Sequence, residues 1–236
     1  DAIEVDVRTQ LRDAGLAVTA GDASAVLEGG PSIVVAVGDR AVAAVGSRTP
    51  SMPIVPVGAG AGVRSVRGDE IDTIPSAIAA DDWTTERHET LSVTVDGEHV
   101  ETAVFDVSLL TAAAARISEY EVVADEDRLD RSRADGVVVA TPAGSTGYAR
   151  RVNAPVLAPG TGIAVAWIAP FRTDPDRWVV DPALLELSVC REEATVDLHV
   201  DDRVVGPIGP AETVAVAPTD GFSVAVIDAS RNRYER

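Results

Sequence analysis

The sequence predicts an α/β region followed by an all-β region, the latter a sandwich. Three observations carry that expectation. The first third sets short apolar runs ahead of glycines and helix-like stretches. From Leu91 onward the apolar period drops to two, and Gly- and Pro-rich joints separate many short extended runs.

In chain order, Asp1 to Ala14 place Ile3, Val7, Leu11 and Ala14 at helical spacing, and Gly15 follows where helices commonly stop. A short strand is expected at Leu16 to Val18. The apolar run Ile33 to Val37 ends in Gly38-Asp39 and leads into a helix-like stretch, Arg40 to Val45. In such a layout ligands meet the carboxyl ends of the strands. A second strand, Pro53 to Val57, runs into Gly58-Ala59-Gly60-Ala61-Gly62, and Asp72-Thr73-Ile74-Pro75 reads as a helix start with Pro in the first turn.

The β region opens with Val93 and Val95, the turn signal Asp96-Gly97, and Val100, Thr102 and Val104 on the return, which together read as a hairpin. Extended runs follow at Tyr120 to Ala124, Val137 to Ala140, Ile163 to Ile168, Leu185 to Val189, Val196 to Val200, Val214 to Val216 and Phe222 to Ile227. The α/β domain is expected over 1–82 and the sandwich over 83–236, with the last segment returning to the first domain. Arg231 to Arg236 read as a polar end.

Net charge is −18, from 38 acidic residues against 20 basic ones, and all of the basic residues are Arg. A surplus of carboxylates with no Lys supplies the hydrated, self-repelling surface that keeps a protein dissolved in molar salt, so a halophilic cytoplasm is expected. The same charge excludes nucleic acid as a partner, because duplex affinity rests on basic side chains. Apolar stretches are broken within about ten residues, which gives no expectation of a membrane span, and no signal peptide is visible. The chain begins at Asp1 and not at Met, which implies residues upstream. Cys190 is the only cysteine, so no internal disulfide can form and core filling is its expected role. His88, His99 and His199 are scattered, with no metal-binding spacing, and Trp83, Trp167 and Trp178 read as packing anchors.

The most specific segment runs from Ala134-Asp135-Gly136 through Val137 to Ala140 and into Thr141-Pro142-Ala143-Gly144-Ser145-Thr146-Gly147-Tyr148. A strand entering Thr-Pro, a glycine and two hydroxyl residues lets backbone amides and short side chains crowd a planar ligand, although by composition alone it also reads as a tight turn. In its context the segment resembles the signature of the NAD kinase family, an Asp-Gly strand followed by Thr-Pro-Thr-Gly-Ser-Thr-Ala-Tyr. Val37-Gly38-Asp39-Arg40 stands where that family has Gly-Gly-Asp-Gly, and Phe105-Asp106 where it has Asn-Glu. Ala154 to Pro159 resemble its Gly-Gly-Pro segment and Ile168-Ala169-Pro170-Phe171 its Pro-His turn.

The resemblance, to a divergent haloarchaeal-type member, implies a small Rossmann-like amino-terminal domain and a carboxy-terminal β-sandwich. It also implies a dinucleotide groove, often completed by a neighbouring subunit in a homodimer or homotetramer. It further implies NAD and ATP as substrates, with Mg²⁺ carried on the phosphates, and transfer of a phosphoryl group to the 2′-hydroxyl of the adenosine ribose. By the same resemblance Asp39 is the catalytic proton acceptor, Asp106 holds ribose hydroxyls, and Gly38 and Arg40 lie on the phosphate path. Thr146, Gly147 and Tyr148 line the adenine site, Asp135 the nicotinamide side, and Gly144 and Ser145 are cofactor-binding residues of the same loop.

Val37, Arg40 and Phe105 depart from the family pattern, removing two glycines and an amide. Two readings therefore stand at this level: an ATP-dependent NAD kinase, or a dinucleotide-binding paralogue without catalysis and with a regulatory role.

Charge repulsion of this size makes folding salt-dependent, since the screening length grows from about 3 Å at 1 M to about 10 Å at 0.1 M. Circular dichroism should show the fold lost between multimolar and decimolar KCl. An unchanged spectrum would remove the halophilic reading.

Overall fold

The structure is a computed structural model that describes residues 2–113, 116–181 and 184–234. The chain divides into two compact units, residues 1–88 with 221–236, and residues 89–220. Among the described residues no helix is long and apolar enough to cross a membrane.

The α/β unit begins with α1 (Ala2–Asp13), which buries Val7 and Leu11 and ends before Gly15. Next come α2 (Ala23–Glu28), β1 (Val34–Val37), α3 (Asp39–Gly46), β2 (Ile54–Val57) and α4 (Ile74–Ala80). Leu16 to Val18 are not a strand; Leu16 and Val18 are loop residues whose apolar character serves packing against this unit's core. β1 pairs with β2 in parallel, Val34 opposite Ile54, and Ile54 in turn lies opposite Val224 near the chain's end, also in parallel. β2 is buried along its whole length, which explains its unbroken apolar run.

The β unit is a sandwich of two antiparallel sheets. Its strands are β3 (Thr84–Val95), which starts in the first unit, β4 (Glu98–Ala103), β5 (Asp106–Thr111), β6 (Ser118–Ala124), β7 (Asp127–Ala134) and β8 (Gly136–Ala140). A short helix, α5 (Tyr148–Arg151), precedes β9 (Ile163–Ile168), β10 (Arg177–Val180), β11 (Leu185–Arg191), β12 (Val196–Val200), β13 (Arg203–Ile208) and β14 (Thr213–Val226). One sheet runs β14-β11-β6-β7 with the β3–β4 hairpin on the other side of β14, and the second runs β10-β9-β8-β5-β12-β13.

Asp96 and Gly97 have φ of 49° and 85°, which is the paired left-handed turn that lets the β3–β4 hairpin keep its twist. The inner faces meet in one core that includes Tyr120, Leu187, Val137, Val165 and Leu198. β8 and β9 are buried on both faces, because α5 and the segment through Leu157 cover the side away from that core.

The extended runs at Val214 to Val216 and Phe222 to Ile227 are one strand, β14, which carries the chain back into the α/β unit. β7, β10 and β13 each lie at a sheet edge; β7 is mostly polar, while β10 and β13 leave Val179, Val204 and Val205 exposed. In β7 the polar residues have partners: Asp130 accepts from the Trp167 indole at 3.0 Å and from Arg172, and Arg131 pairs with Glu119 at 2.7 Å. Trp167 packs edge-on against Trp178. Cys190 is half-buried on the face of β11 that points away from the sandwich core, which corrects its expected role as core filling.

The polar end is also corrected, as far as it is described; its last two residues lie outside the described residues. Arg233 is buried and pairs with Glu86, whose other oxygen meets His88 Nε2 at 3.0 Å, while the His88 ring stacks on Phe222. Burial alone would raise the Glu86 carboxyl, but hydrogen bonds from His88 and Arg233 outweigh it and draw it from 4.5 down to about 2. A carboxyl lowered on folding stabilises the protein above its ordinary value, and that contribution disappears as pH falls towards about 2.

Arg233→Met, which strands Glu86, is expected to lower stability by about 1–3 kcal/mol at neutral pH. Urea unfolding in molar KCl measures it. The difference from the parent should shrink once the pH falls below the range in which Glu86 is ionised.

Candidate functional site

Each unit contributes its own group of functional residues. In the α/β unit β1 ends at Val37, and Gly38 turns the chain with φ 81° before α3 begins. That left-handed conformation is why glycine stands here. The Gly38 N–H donates to the Val57 carbonyl at 2.8 Å, tying the turn to the end of β2. Asp39, exposed in the first turn of α3, accepts from the Gly60 N–H at 2.8 Å. The loop that supplies this amide is itself held from within, since buried Ser65 accepts from the Ala59 N–H at 2.8 Å. The carboxylate of Asp39 is thus oriented by backbone, with its remaining acceptor capacity facing solvent. Arg40 follows, also exposed.

In the β unit the site is built on the corner at residues 104–106, where β4 gives way to β5. Thr141, at the end of β8, donates its N–H to the Phe105 carbonyl at 2.9 Å and its hydroxyl to the Val104 carbonyl at 2.7 Å. Asp201, in the β12–β13 turn, accepts on one oxygen from the N–H groups of Val104 at 3.2 Å, Phe105 at 2.7 Å and Asp106 at 3.2 Å. Its own N–H donates to the Asp106 carbonyl at 2.8 Å. Two residues from distant parts of the chain therefore satisfy every backbone polar group of the corner.

The loop after Thr141 closes over this corner. A Cβ at Gly144 would overlap the Phe105 carbonyl, so only glycine allows the approach, and the Gly144 N–H donates to the Thr141 hydroxyl at 3.1 Å. Ser145 is fully buried; its hydroxyl donates to the Pro142 carbonyl at 2.8 Å and accepts from the Leu157 N–H at 2.9 Å. Gly144 and Ser145 thus form the foot of the loop, with their side-chain positions turned into the protein. Thr146 is half-buried, and Gly147 and Tyr148 are exposed at the start of α5.

Asp106 is buried, and burial together with the Asp201 charge pushes its carboxyl up to about 7. Burial also raises the Tyr148 phenol, and the charges of Asp106 and Asp135 add to that rise, so these three groups share one electrostatic neighbourhood. Asp135 presents an exposed side chain, while its carbonyl accepts from Thr111 N–H at 2.8 Å and from the Tyr120 hydroxyl at 3.2 Å. Of the residues singled out from the sequence, the β unit thus gathers Asp106, Asp135 and Gly144 to Tyr148, and the α/β unit gathers Gly38, Asp39 and Arg40. Sequence reasoning missed Asp201 and the structural weight of Thr141. Nothing distinguishes Asp201 from the chain's other carboxylates until the corner it grips is visible.

The same fold occurs in solved NAD kinases. The NAD kinase from Archaeoglobus fulgidus, solved in complex with ATP, superposes with a TM-score of 0.77 at 19% identity over 98% of this chain and 93% of that one. Yeast NADH kinase, complexed with NADH, gives 0.72 at 17% identity over 86% and 63%. The ATP-NAD kinase C-terminal domain family matches residues 105–221. The NAD kinase of Methanosarcina barkeri is 36% identical over 45% of this chain and 40% of its own length, and that of Methanosarcina acetivorans 40% identical over 42% and 36%. Residues 105–221 thus resemble the carboxy-terminal domain of the NAD kinase family, and the whole chain shares the fold of its solved members. The chain's matches span about two-fifths of the length of these curated relatives.

Gly144→Ala forces the loop off the Phe105 carbonyl and is expected to lower stability by about 2 kcal/mol or more. Urea unfolding in molar KCl reads this. An unmoved midpoint would mean that the loop does not rest on the corner.

Proposed function

We propose that the chain is an ATP-dependent NAD kinase, transferring the terminal phosphoryl group of ATP to the 2′-hydroxyl of the adenosine ribose of NAD to give NADP. The observation that carries this reading is the family match over residues 105–221, which contains Asp106, Asp135 and the whole Thr141 to Tyr148 loop. The relatives' names, and the ATP and NADH in the two structural neighbours, support the same substrates.

In this reading Asp39 takes the proton of the 2′-hydroxyl as the ribose oxygen bonds to the γ-phosphorus and the bond to the bridging oxygen of ADP breaks. Its hydrogen bond from Gly60 limits its rotation and leaves acceptor capacity for that proton. Mg²⁺ carried on the ATP phosphates would supply charge neutralisation for the transferring group. Gly38 lets backbone approach the phosphates, and Arg40 binds their oxygens through its planar guanidinium. Asp106 holds the ribose, Thr146, Gly147 and Tyr148 line the adenine, and Asp135 faces the nicotinamide side. The acid excess supports a salt-adapted cytoplasm as the setting, with NADP biosynthesis as the role and a homodimer or homotetramer as the assembly in this reading.

A coupled assay in molar KCl with NAD and Mg-ATP should show NADP formation. Asp39→Asn should lower turnover by roughly 10²-fold or more, and Arg40→Gly should raise the KM for ATP with a smaller effect on kcat. If Val37→Gly together with Arg40→Gly creates an activity that the parent lacks, the parent is a dinucleotide binder and not a kinase.

A further inference from the structure

Two carboxyls, Asp106 buried and Asp201 half-buried, meet at the 104–106 corner in different surroundings. Loss of solvent raises the Asp201 carboxyl above its ordinary value, but three backbone N–H groups and the positive charge of Arg203 pull it back. No hydrogen bond among the described residues ends on the Asp106 carboxyl, and the charge that acts on it is that of Asp201. Two like charges in one buried corner are unfavourable, so one proton stays. It stays on the carboxyl without donors, because protonating Asp201 would weaken its hold on three amides at once. Tyr148 at the start of α5, whose phenol the Asp106 charge helps to raise, brings no positive charge that would change this balance.

We propose that Asp201 is a positioning residue that sets the 104–106 corner and leaves Asp106 to meet the dinucleotide as a neutral acid, a hydrogen-bond donor as well as an acceptor. The identity of the ligand rests on the NAD kinase reading; the state of the pair does not. A neutral carboxyl donates its O–H to one ribose hydroxyl oxygen and accepts from the neighbouring hydroxyl on its carbonyl oxygen, which matches a vicinal diol. An ionised Asp106 would instead bring a second negative charge towards a ligand that already carries phosphates. Binding is thereby tied to one proton: affinity is complete below the Asp106 midpoint and falls by about tenfold per pH unit above it.

Two measurements in molar KCl test this, one without ligand. In protein labelled with ¹³C at the Asp carboxyl carbons, the resonance lost in Asp106→Asn should titrate in the parent near pH 7 and at lower pH in Asp201→Asn, which keeps an acceptor oxygen but drops the charge. Calorimetric titration with NAD from about pH 6 to about pH 9 should show parent affinity falling at least tenfold, a flat profile in Asp106→Asn, and a midpoint moved to lower pH in Asp201→Asn.

A purely structural Asp201 would lower affinity equally at every pH and leave the midpoint where it was. That result overturns the proposal, as does an Asp106 carboxyl that titrates in the ordinary range near 3.8. If NAD binds at no pH while the carboxyl resonances behave as expected, the dinucleotide reading fails and the assignment of the carboxyl pair stands.

Discussion

Six backbone polar groups at residues 104–106, three N–H and three carbonyl, find their partners on Asp201 and Thr141, and the rest of the β-unit site hangs from that satisfaction. A chain that leaves one strand and enters another exposes amides that the sheet cannot pair. In a buried position each such group would be unfavourable by about 1–3 kcal/mol if left alone. Filling the corner with a carboxylate on one side and a threonine on the other links the β12–β13 turn, the β4–β5 junction and the end of β8. The Thr141 to Tyr148 loop is therefore not a free surface loop; its start is part of the hydrogen-bonding of the sandwich, and only its far end is exposed.

Packing makes that anchor rigid. β8 delivers Thr141 from a strand buried on both faces, between the sandwich core and the layer formed by α5, Ala154 and Leu157. Ser145 joins the loop to that outer layer through the Leu157 N–H, so loop and cover hold each other in place. The α/β unit solves the same problem with glycine: Gly38 turns β1 into α3, and the next loop gives a backbone N–H to Asp39. Asp39 in one unit and Asp201 in the other are oriented by main chain, which leaves little conformational entropy for those two side chains to lose when a ligand arrives.

An acidic chain also shows how far environment separates identical groups. Glu86, beside Arg233 and His88, is drawn down to about 2, while Asp106, beside Asp201 and without donors, is pushed up to about 7. Both lie in a molecule of net charge −18, yet neither follows the average field; local hydrogen bonds and burial decide. In molar salt the distant charges are screened within a few ångströms, so that local character is accentuated.

The sequence by itself determined the fold class, the hairpin at Asp96-Gly97, the doubly buried strands and the family signature, because each is written in neighbouring residues: a period, a turn pair, an apolar run or an ordered motif. It did not determine the edge strands β7, whose polar residues lack the apolar period by which strands are recognised, and β13, a short run interrupted by Gly206 and Pro207. Nor did it reveal that Ser145 points inward, that Arg233 is buried, or that Asp201 matters. Those outcomes depend on contacts between residues about 12 to about 150 positions apart. A side chain's hydrogen-bond partner and its proton are set by whatever folding brings beside it, and only the tertiary structure places Asp201 against the corner that carries Asp106.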